Sequence, residues 1–168
     1  MTGVFTKNWD GMKNSMVLGG VSRNGESTVR DISGSLVRAV NCVSPLRSVA
    51  SSFQPNSSNN SIWFGSSDAA ALNTDITLGS VYSSGVTYVA STNSEISWNG
   101  DTASRTFSVI IQNTATDSKT IREFGIVSAS SGNAVLLYHG VLDTPVTISQ
   151  YESAGLTLTV SMTLSDPV

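Results

Sequence analysis

The last strand-like segment of the chain limits the possible folds more than any other segment does. From Leu156 to Leu164, leucine, valine and methionine side chains alternate with threonine and serine side chains. Since successive side chains of a β-strand point to opposite faces, this pattern predicts a strand with one apolar face and one hydroxyl face. Threonine favours strands without adding charge, so the hydroxyl face suits contact with water or with another subunit.

Other strand-like segments precede this one. After residue 85 the sequence alternates between strand patterns and turn signals, at a spacing of about ten residues. Upstream, Thr28–Asp31 and Leu36–Val43 form a candidate hairpin, and Ser61–Gly65 reads as a short buried strand. We therefore predict an all-β fold, an antiparallel sandwich of jelly-roll or immunoglobulin-like type, over residues 26–168. Its later strands are predicted at Val86–Ala90, Glu95–Asn99, Arg105–Asn113, Lys119–Ser128, Ala134–Val141, Thr144–Ser149 and Leu156–Leu164.

Residues 1–25 are predicted to form an arm outside the sandwich. Apolar side chains fall at helical spacing in Thr6–Leu18, and the glycines at 19 and 20 end the pattern, which indicates one short helix. Such a helix is weak alone because it is short and contains Gly11. It would leave a set of apolar side chains exposed, and we predict that these contact a partner: Phe5, Trp9, Met12 and Met16.

The composition limits the possible partners. Only 12% of the 168 residues are charged, about half the usual share, and the formal net charge is −3. The basic residues are scattered, whereas a nucleic-acid surface needs them clustered. No segment has the length and apolarity of a membrane span, and the N-terminus lacks the pattern of a secretory signal, so we expect neither membrane insertion nor export. Because permanent interfaces shed charged residues, the composition favours an assembly subunit, and it also fits a glycan-binding module.

The chain offers little that is typical of catalysis. His139 is the only histidine, and although Asp143 lies four residues further on, no Gly-x-Ser-x-Gly sequence marks a nucleophile. We expect His139 at the end of a strand, hydrogen-bonded or in water. Glu123 falls inside a predicted strand, and we interpret it as a structural carboxylate that binds a loop amide or Arg122 of a neighbouring chain. We predict no catalytic residue and no enzyme.

No metal or cofactor site is indicated either. One histidine and the single Cys42 cannot supply the four ligands of a structural zinc site, and Cys42 is expected to be a small buried hydrophobe. Several acids could bind calcium in principle, but they lack the spacing of a calcium-binding loop: Asp68, Asp75, Asp101 and Asp117. A glycosidase would need two acids across a groove, and the available ones show no pattern: Glu95, Asp101, Glu123 and Glu152.

The aromatic residues allow two interpretations. They could line a sugar-binding platform, or they could fill the core of the sandwich. We expect Trp63 in the core, and Trp98 also points inward on the simplest register because it alternates with Ile96. The other members of this set are Phe64, Tyr82 and Tyr88.

Several segments follow one another in a recognisable order: Ile62–Gly65, Asp75–Gly79, Ile121–Ile126, Leu136–Tyr138 with Val141, and the final alternating strand. Taken in this order, they resemble small bacteriophage virion proteins of the tail or minor structural type. The resemblance covers most of residues 60–164 and implies a non-enzymatic component of the tail, neck or baseplate of a tailed phage. Such a component is made in the host bacterial cytoplasm and assembles with copies of itself and with other virion proteins. The alternatives are a capsid decoration or head-fibre protein and a glycan-binding, receptor-recognition module.

Overall fold

The computed structural model describes residues 2–9, 28–38, 61–93, 96–130 and 133–163. These ranges form antiparallel strands, so the predicted all-β fold is confirmed. The strands are β1 (Thr2–Phe5), β2 (Thr28–Arg30), β3 (Leu36–Arg38), β4 (Ser61–Gly65), β5 (Val86–Asn93), β6 (Ser97–Asn99), β7 (Thr102–Asn113), β8 (Lys119–Ser130), β9 (Asn133–Ile148) and β10 (Ser153–Thr163).

Two sheets build the sandwich. The first sheet has the strand order β1-β9-β8-β4, and the second has the order β10-β7-β5, with the short β6 also pairing with β7. The connections from β4 to β5, from β7 to β8 and from β9 to β10 each cross from one sheet to the other. Strands β2 and β3 form a separate hairpin.

The core lies between the facing sides of the two sheets. Phe107, Val109 and Ile111 alternate along β7 and are buried, as their spacing predicts. They form one cluster with the apolar side chains of β10 and with residues of the first sheet such as Phe124 and Ile126. Each fully buried side chain of this size contributes about 1.5–3 kcal/mol, so this layer supplies much of the driving force for folding.

The structure does not support the predicted helical arm. Residues 2–5 form β1, which pairs with Tyr138–Val141 of β9, and only residues 7–9 of the predicted helix are described and helical. The rest of that helix lies outside the described residues. The edge of β9 satisfies the backbone groups of residues 2–5, which an isolated short helix cannot match. The division of the chain at residue 25 stays a prediction, but residues 2–9 pack within the sandwich.

Strand β9 is continuous where the sequence predicts two strands. Pro145 lies inside it, in the stretch between Val141 and Val146 where the pairing with β8 shifts register. Proline has no N–H to donate, and a register shift is a place where no donor is required. The strand therefore tolerates the proline without losing a regular hydrogen bond to β8.

Candidate functional site

A loop covers the outer face of the first sheet. We call residues 66–80 the cover loop; it is closed at its neck, where the Ser66 N–H donates to the Ser80 carbonyl oxygen at 2.9 Å. From this loop, Leu78 is buried against Trp63, Val127 and Leu136 of the sheet. The loop has no apolar periodicity, so its position on the sheet depends on these apolar contacts and on its hydrogen bonds to Glu123 and His139.

Glu123 is the polar anchor of the cover loop. Its side chain points out of β8 and is 0% exposed. Oε1 accepts hydrogen bonds from the backbone N–H groups of Ser67 at 3.2 Å and Ser80 at 2.8 Å, and Oε2 accepts one from Gly79 at 2.9 Å. The interpretation of Glu123 as a carboxylate that binds loop amides is confirmed, whereas a contact with Arg122 of a neighbouring chain stays a prediction.

Two glycines leave the space that the Glu123 carboxylate and the backbone of the cover loop need to approach each other. A Cβ at Gly65 would collide with Glu123 Oε1 and with the Ser80 carbonyl oxygen. A Cβ at Gly79 would lie 2.6 Å from the Ser67 hydroxyl oxygen. Glycine is the residue that allows such a close approach of backbone to a buried polar group.

His139 connects the carboxylate of Glu123 to a second carboxylate. Its Nε2 lies 2.9 Å from Glu123 Oε2, and its Nδ1 lies 2.7 Å from Asp75 Oδ2. The pairing of Gly125 with His139 places Glu123 and His139 diagonally on the same face of adjacent strands. The prediction that His139 stands at a strand end is wrong, because the residue lies inside β9 and is buried. Its acidic partner in the cover loop is Asp75 rather than Asp143.

Glu123 and His139 each favour the charged form of the side chain. Burial alone raises the pKa of Glu123, but the hydrogen bonds from His139 and from three backbone amides outweigh it and hold that pKa below its ordinary value. Burial alone lowers the pKa of His139, but its hydrogen bonds to Glu123 and Asp75 and their negative charges raise that pKa above its ordinary value. The contacts with Glu123 and Asp75 therefore favour the imidazolium form of His139.

Asp75 forms the outer end of this bridge. Its side chain is 23% exposed, and its Oδ2 also accepts a hydrogen bond from the Leu72 N–H at 2.7 Å. It lines a cleft of about 350 Å³ between the N-terminal segment, the β2–β3 hairpin and the cover loop. Lys7 and Arg30, both exposed, line the same cleft.

The bridge suits the joining of elements better than the transfer of a proton to a substrate. A histidine that acts as a general base needs one ring nitrogen directed at the nucleophile or at water. Both nitrogens of His139 face carboxylate oxygens, and the ring is buried. Within the described ranges, no group of three or more His, Cys, Asp or Glu side chains is arranged to hold a metal ion.

The tryptophans lie in different places. Trp63 is buried, as predicted, but it lies under the cover loop on the outer face of the first sheet rather than between the two sheets. Trp98 is 59% exposed, so the prediction that it points inward is wrong. The reason is that β6 has only three residues and pairs with the start of β7, where Trp98 stands opposite Ala103 and is not covered. Because Trp63 and Trp98 belong to different sheets, they do not form one platform.

The four predicted partner contacts divide into two pairs. Phe5 lies on β1 with its ring centroid 5.0 Å from that of Trp9 and 5.1 Å from that of Tyr138. Trp9 is buried with Val29 and Leu137. Both aromatic rings therefore pack within the chain itself, which sequence reasoning missed because it assigned no strand to residues 2–5. The other two residues of that prediction, Met12 and Met16, lie outside the described residues. So do Cys42, expected to be a buried hydrophobe, and Glu95, one of the acids considered for a glycosidase.

The outer face of the second sheet differs from that of the first. We call the outward-pointing residues of β5, β7 and β10 the hydroxyl face. Ser104 and Ser161 lie across from each other with their hydroxyl oxygens 2.8 Å apart, and those of Thr106 and Thr159 are 3.2 Å apart. Of the described residues that point outward from these three strands, none is charged.

Apolar side chains are also exposed on the hydroxyl face, among them Val89 at the bulge of β5, which is 52% exposed. Ile110 is 44% exposed and lies between Gly155 and Ala90 on the neighbouring strands. Gly155 has open space where a Cβ would point, and a shallow hollow of about 310 Å³ borders these residues. The face therefore carries a protruding side chain and a hollow side by side.

Compared with known proteins, the chain matches no family model, no curated protein and no solved structure. Among the residues that the structure describes, no helix has the length and apolarity needed to cross a membrane.

Proposed function

We propose that this protein is a non-enzymatic structural component of a tailed-phage virion, in the tail, neck or baseplate. In this proposal it resides in the virion and assembles through contacts with copies of itself and with other virion proteins. The observation that supports assembly best is the hydroxyl face, and the order of the sequence segments from residue 60 to 164 supports the phage origin.

The chemistry of the hydroxyl face suits a permanent contact. A charge that is buried in an interface must lose its hydration, and permanent interfaces are accordingly poor in charged residues. The cross-strand pairs Ser104–Ser161 and Thr106–Thr159 already satisfy part of each other's hydrogen bonding. A partner can cover such a face at a small cost in lost hydrogen bonds to water.

The shape of the face suits a second copy of this chain. In a two-fold contact the same surface serves both subunits, so a protrusion must meet a hollow of the same face. Ile110 and the space over Gly155 supply such a protrusion and hollow within one row of the sheet. Burying Ile110 fully would contribute about 1.5–3 kcal/mol, reduced by the part that is already covered.

Self-association is tested by a charge placed on the hydroxyl face. Ile110→Lys should shift the wild-type oligomer to a smaller species in size-exclusion chromatography with light scattering, because the contact would bury an unpaired charge. Leu72→Lys is the matched control, since Leu72 is also an exposed apolar residue but lies on the cover loop. An unchanged mass for Ile110→Lys, or a monomeric wild-type protein, would speak against this contact.

The virion origin is tested on particles. Phage particles purified from a host that carries this gene should contain the chain at a fixed copy number, measured by quantitative mass spectrometry. Immunogold labelling should place it at the tail, neck or baseplate. Label over the head would favour the capsid decoration or head-fibre alternative instead, and a chain absent from purified particles would overturn the proposal.

Exposed Trp98 favours a second candidate function, a glycan-binding module. An exposed indole can stack on a sugar ring, and Ile96 beside it is also exposed. Because Trp9 and Trp63 are buried, iodide should quench mainly the fluorescence of Trp98. If oligosaccharides protect this fluorescence in the wild-type protein and Trp98→Ala abolishes the binding, the glycan-binding function replaces the structural one.

A further inference from the structure

The Glu123–His139–Asp75 bridge joins a rigid sheet to the tip of a loop through one ring. Glu123 and His139 belong to the adjacent strands β8 and β9, whereas Asp75 belongs to the cover loop. We propose that this bridge is a pH-dependent latch. It holds the tip of the cover loop, residues 72–76, on the first sheet while His139 is protonated, and it releases the tip when His139 loses its proton.

The hydrogen-bonding capacity of the ring explains the switch. A protonated imidazole has two N–H donors, and a neutral one has a single donor and a single lone pair. Both ring nitrogens lie within hydrogen-bonding distance of a carboxylate oxygen, at 2.9 Å and 2.7 Å. The neutral ring must therefore direct a lone pair at one of the two carboxylates, and that contact becomes repulsive.

The two contacts differ in how readily they can break. Glu123 is fully buried and held by three backbone amides as well as by His139. Asp75 is partly exposed and can turn to water. The neutral ring accordingly keeps its N–H toward Glu123, and the contact with Asp75 is the one that opens. The neck between Ser66 and Ser80 stays closed, so the change is confined to the tip.

Among the described residues, four elements place charged groups at the latch or along the cleft beside it. They are Glu123 from β8, Asp75 from the cover loop, Lys7 from the N-terminal segment and Arg30 from β2. The positive charges of Lys7 and Arg30 oppose the imidazolium, but both side chains are exposed and line the open cleft together with Asp75, where water and salt screen them. The Lys7 N–H also donates to the Asn73 carbonyl oxygen at 2.7 Å, a contact that does not titrate.

The direction of the pH response follows from the two shifted groups. The pKa of His139 is raised above its ordinary 6.5, so its contribution is complete below that value and is lost as the pH rises through the higher folded pKa. The pKa of Glu123 is lowered below its ordinary 4.5, so its contribution is present above that value and is lost only at a lower pH. The latch is therefore closed between the lowered pKa of Glu123 and the raised pKa of His139, and it opens as the pH rises through the latter.

The test follows the ring and the loop in the same sample. Because the chain has a single histidine, NMR of the imidazole reports the His139 titration without overlap. Hydrogen–deuterium exchange, corrected for its intrinsic pH dependence, reports the protection of peptides covering residues 66–80. We expect protection at the tip to fall over the pH range in which His139 deprotonates, and protection at the neck to persist.

Two variants sharpen the test. Asp75→Asn removes one carboxylate from a partly exposed position, so the fold should survive while the His139 midpoint and the loss of tip protection both move to lower pH. Asp117→Asn is the control: this exposed acid is paired with Lys119 at 2.9 Å, away from the latch, and neither midpoint should move. Tip protection that stays constant while wild-type His139 titrates, or an Asp75→Asn midpoint that does not shift, would overturn the latch.

Discussion

The two outward faces of the sandwich satisfy the hydrogen bonding of their polar side chains in different ways. The outer face of the first sheet lies under the cover loop, and the polar atoms of Glu123 there have protein partners at every oxygen. The outer face of the second sheet is open among the described residues, and its hydroxyls pair across strands or face water. A buried face needs specific partners brought from distant parts of the chain, whereas an open face needs only a repeating pattern.

The largest difference between the faces should appear at Glu123. All four of its partners are N–H donors, so Glu123→Gln would place an amide NH₂ group against donors in either orientation of the side chain. We expect a loss of about 3 kcal/mol or more in the free energy of unfolding, measured in urea. Glu152→Gln, at an exposed turn, should change it by less than about 0.5 kcal/mol. Similar values for the two variants would contradict the role of Glu123 as the anchor.

The two faces also differ in how well the sequence predicts them. The hydroxyl face follows from the alternation of Thr157, Thr159 and Ser161 with apolar residues, because the period of a strand is a local property. The Glu123–His139–Asp75 bridge does not follow from any local pattern, because His139 lies 64 residues from Asp75 and 16 from Glu123. The cover loop that delivers Asp75 has no periodic pattern, so its fold depends on contacts that form only in the complete structure.

The same contrast explains the smaller errors of the sequence analysis. Trp98 alternates correctly with its neighbours, but alternation does not say whether the opposite sheet extends far enough to cover it. Strand β1 carries no strong strand pattern and exists because the edge of β9 pairs with it. The close approach at Gly65 could have been suspected from a glycine that ends an otherwise bulky buried strand.

A pair of glycines provides the next comparison. Gly65 lies against Glu123 and the Ser80 carbonyl on the covered face, whereas Gly155 has open space on the hydroxyl face. Gly65→Ala should lower the free energy of unfolding by about 1–3 kcal/mol, because the added methyl must displace the carboxylate or the loop. Gly155→Ala should be neutral or should stabilise the fold by about 0.5 kcal/mol, since alanine loses less entropy on folding. Equal effects in thermal melting would show that the two faces are packed alike.

The pH dependence of stability should come from the covered face. The folded state binds the His139 proton more tightly than the unfolded state does, because the pKa of His139 is raised on folding. The wild-type protein should therefore lose stability as the pH rises through this raised pKa and the proton is released. His139→Phe should remove this dependence, since it leaves no titrating ring between the carboxylates. Urea unfolding of the wild-type protein and of His139→Phe, at several pH values on either side of the His139 midpoint, measures the two pH dependences. A stability that rises through this range would contradict the charged bridge.

The smallest effect is expected on the hydroxyl face itself. Thr159→Val keeps the shape of the side chain but removes the hydroxyl that lies 3.2 Å from that of Thr106. This pair is near water, so the lost hydrogen bond can be replaced, and valine favours a strand as much as threonine does. We expect the free energy of unfolding to change by less than about 0.5 kcal/mol in urea. A loss above about 1.5 kcal/mol, at a protein concentration where the chain is monomeric, would mean that the hydroxyl pairs stabilise the fold as the buried bridge does. A loss seen only at concentrations where the chain associates would instead locate the effect in the contact between copies.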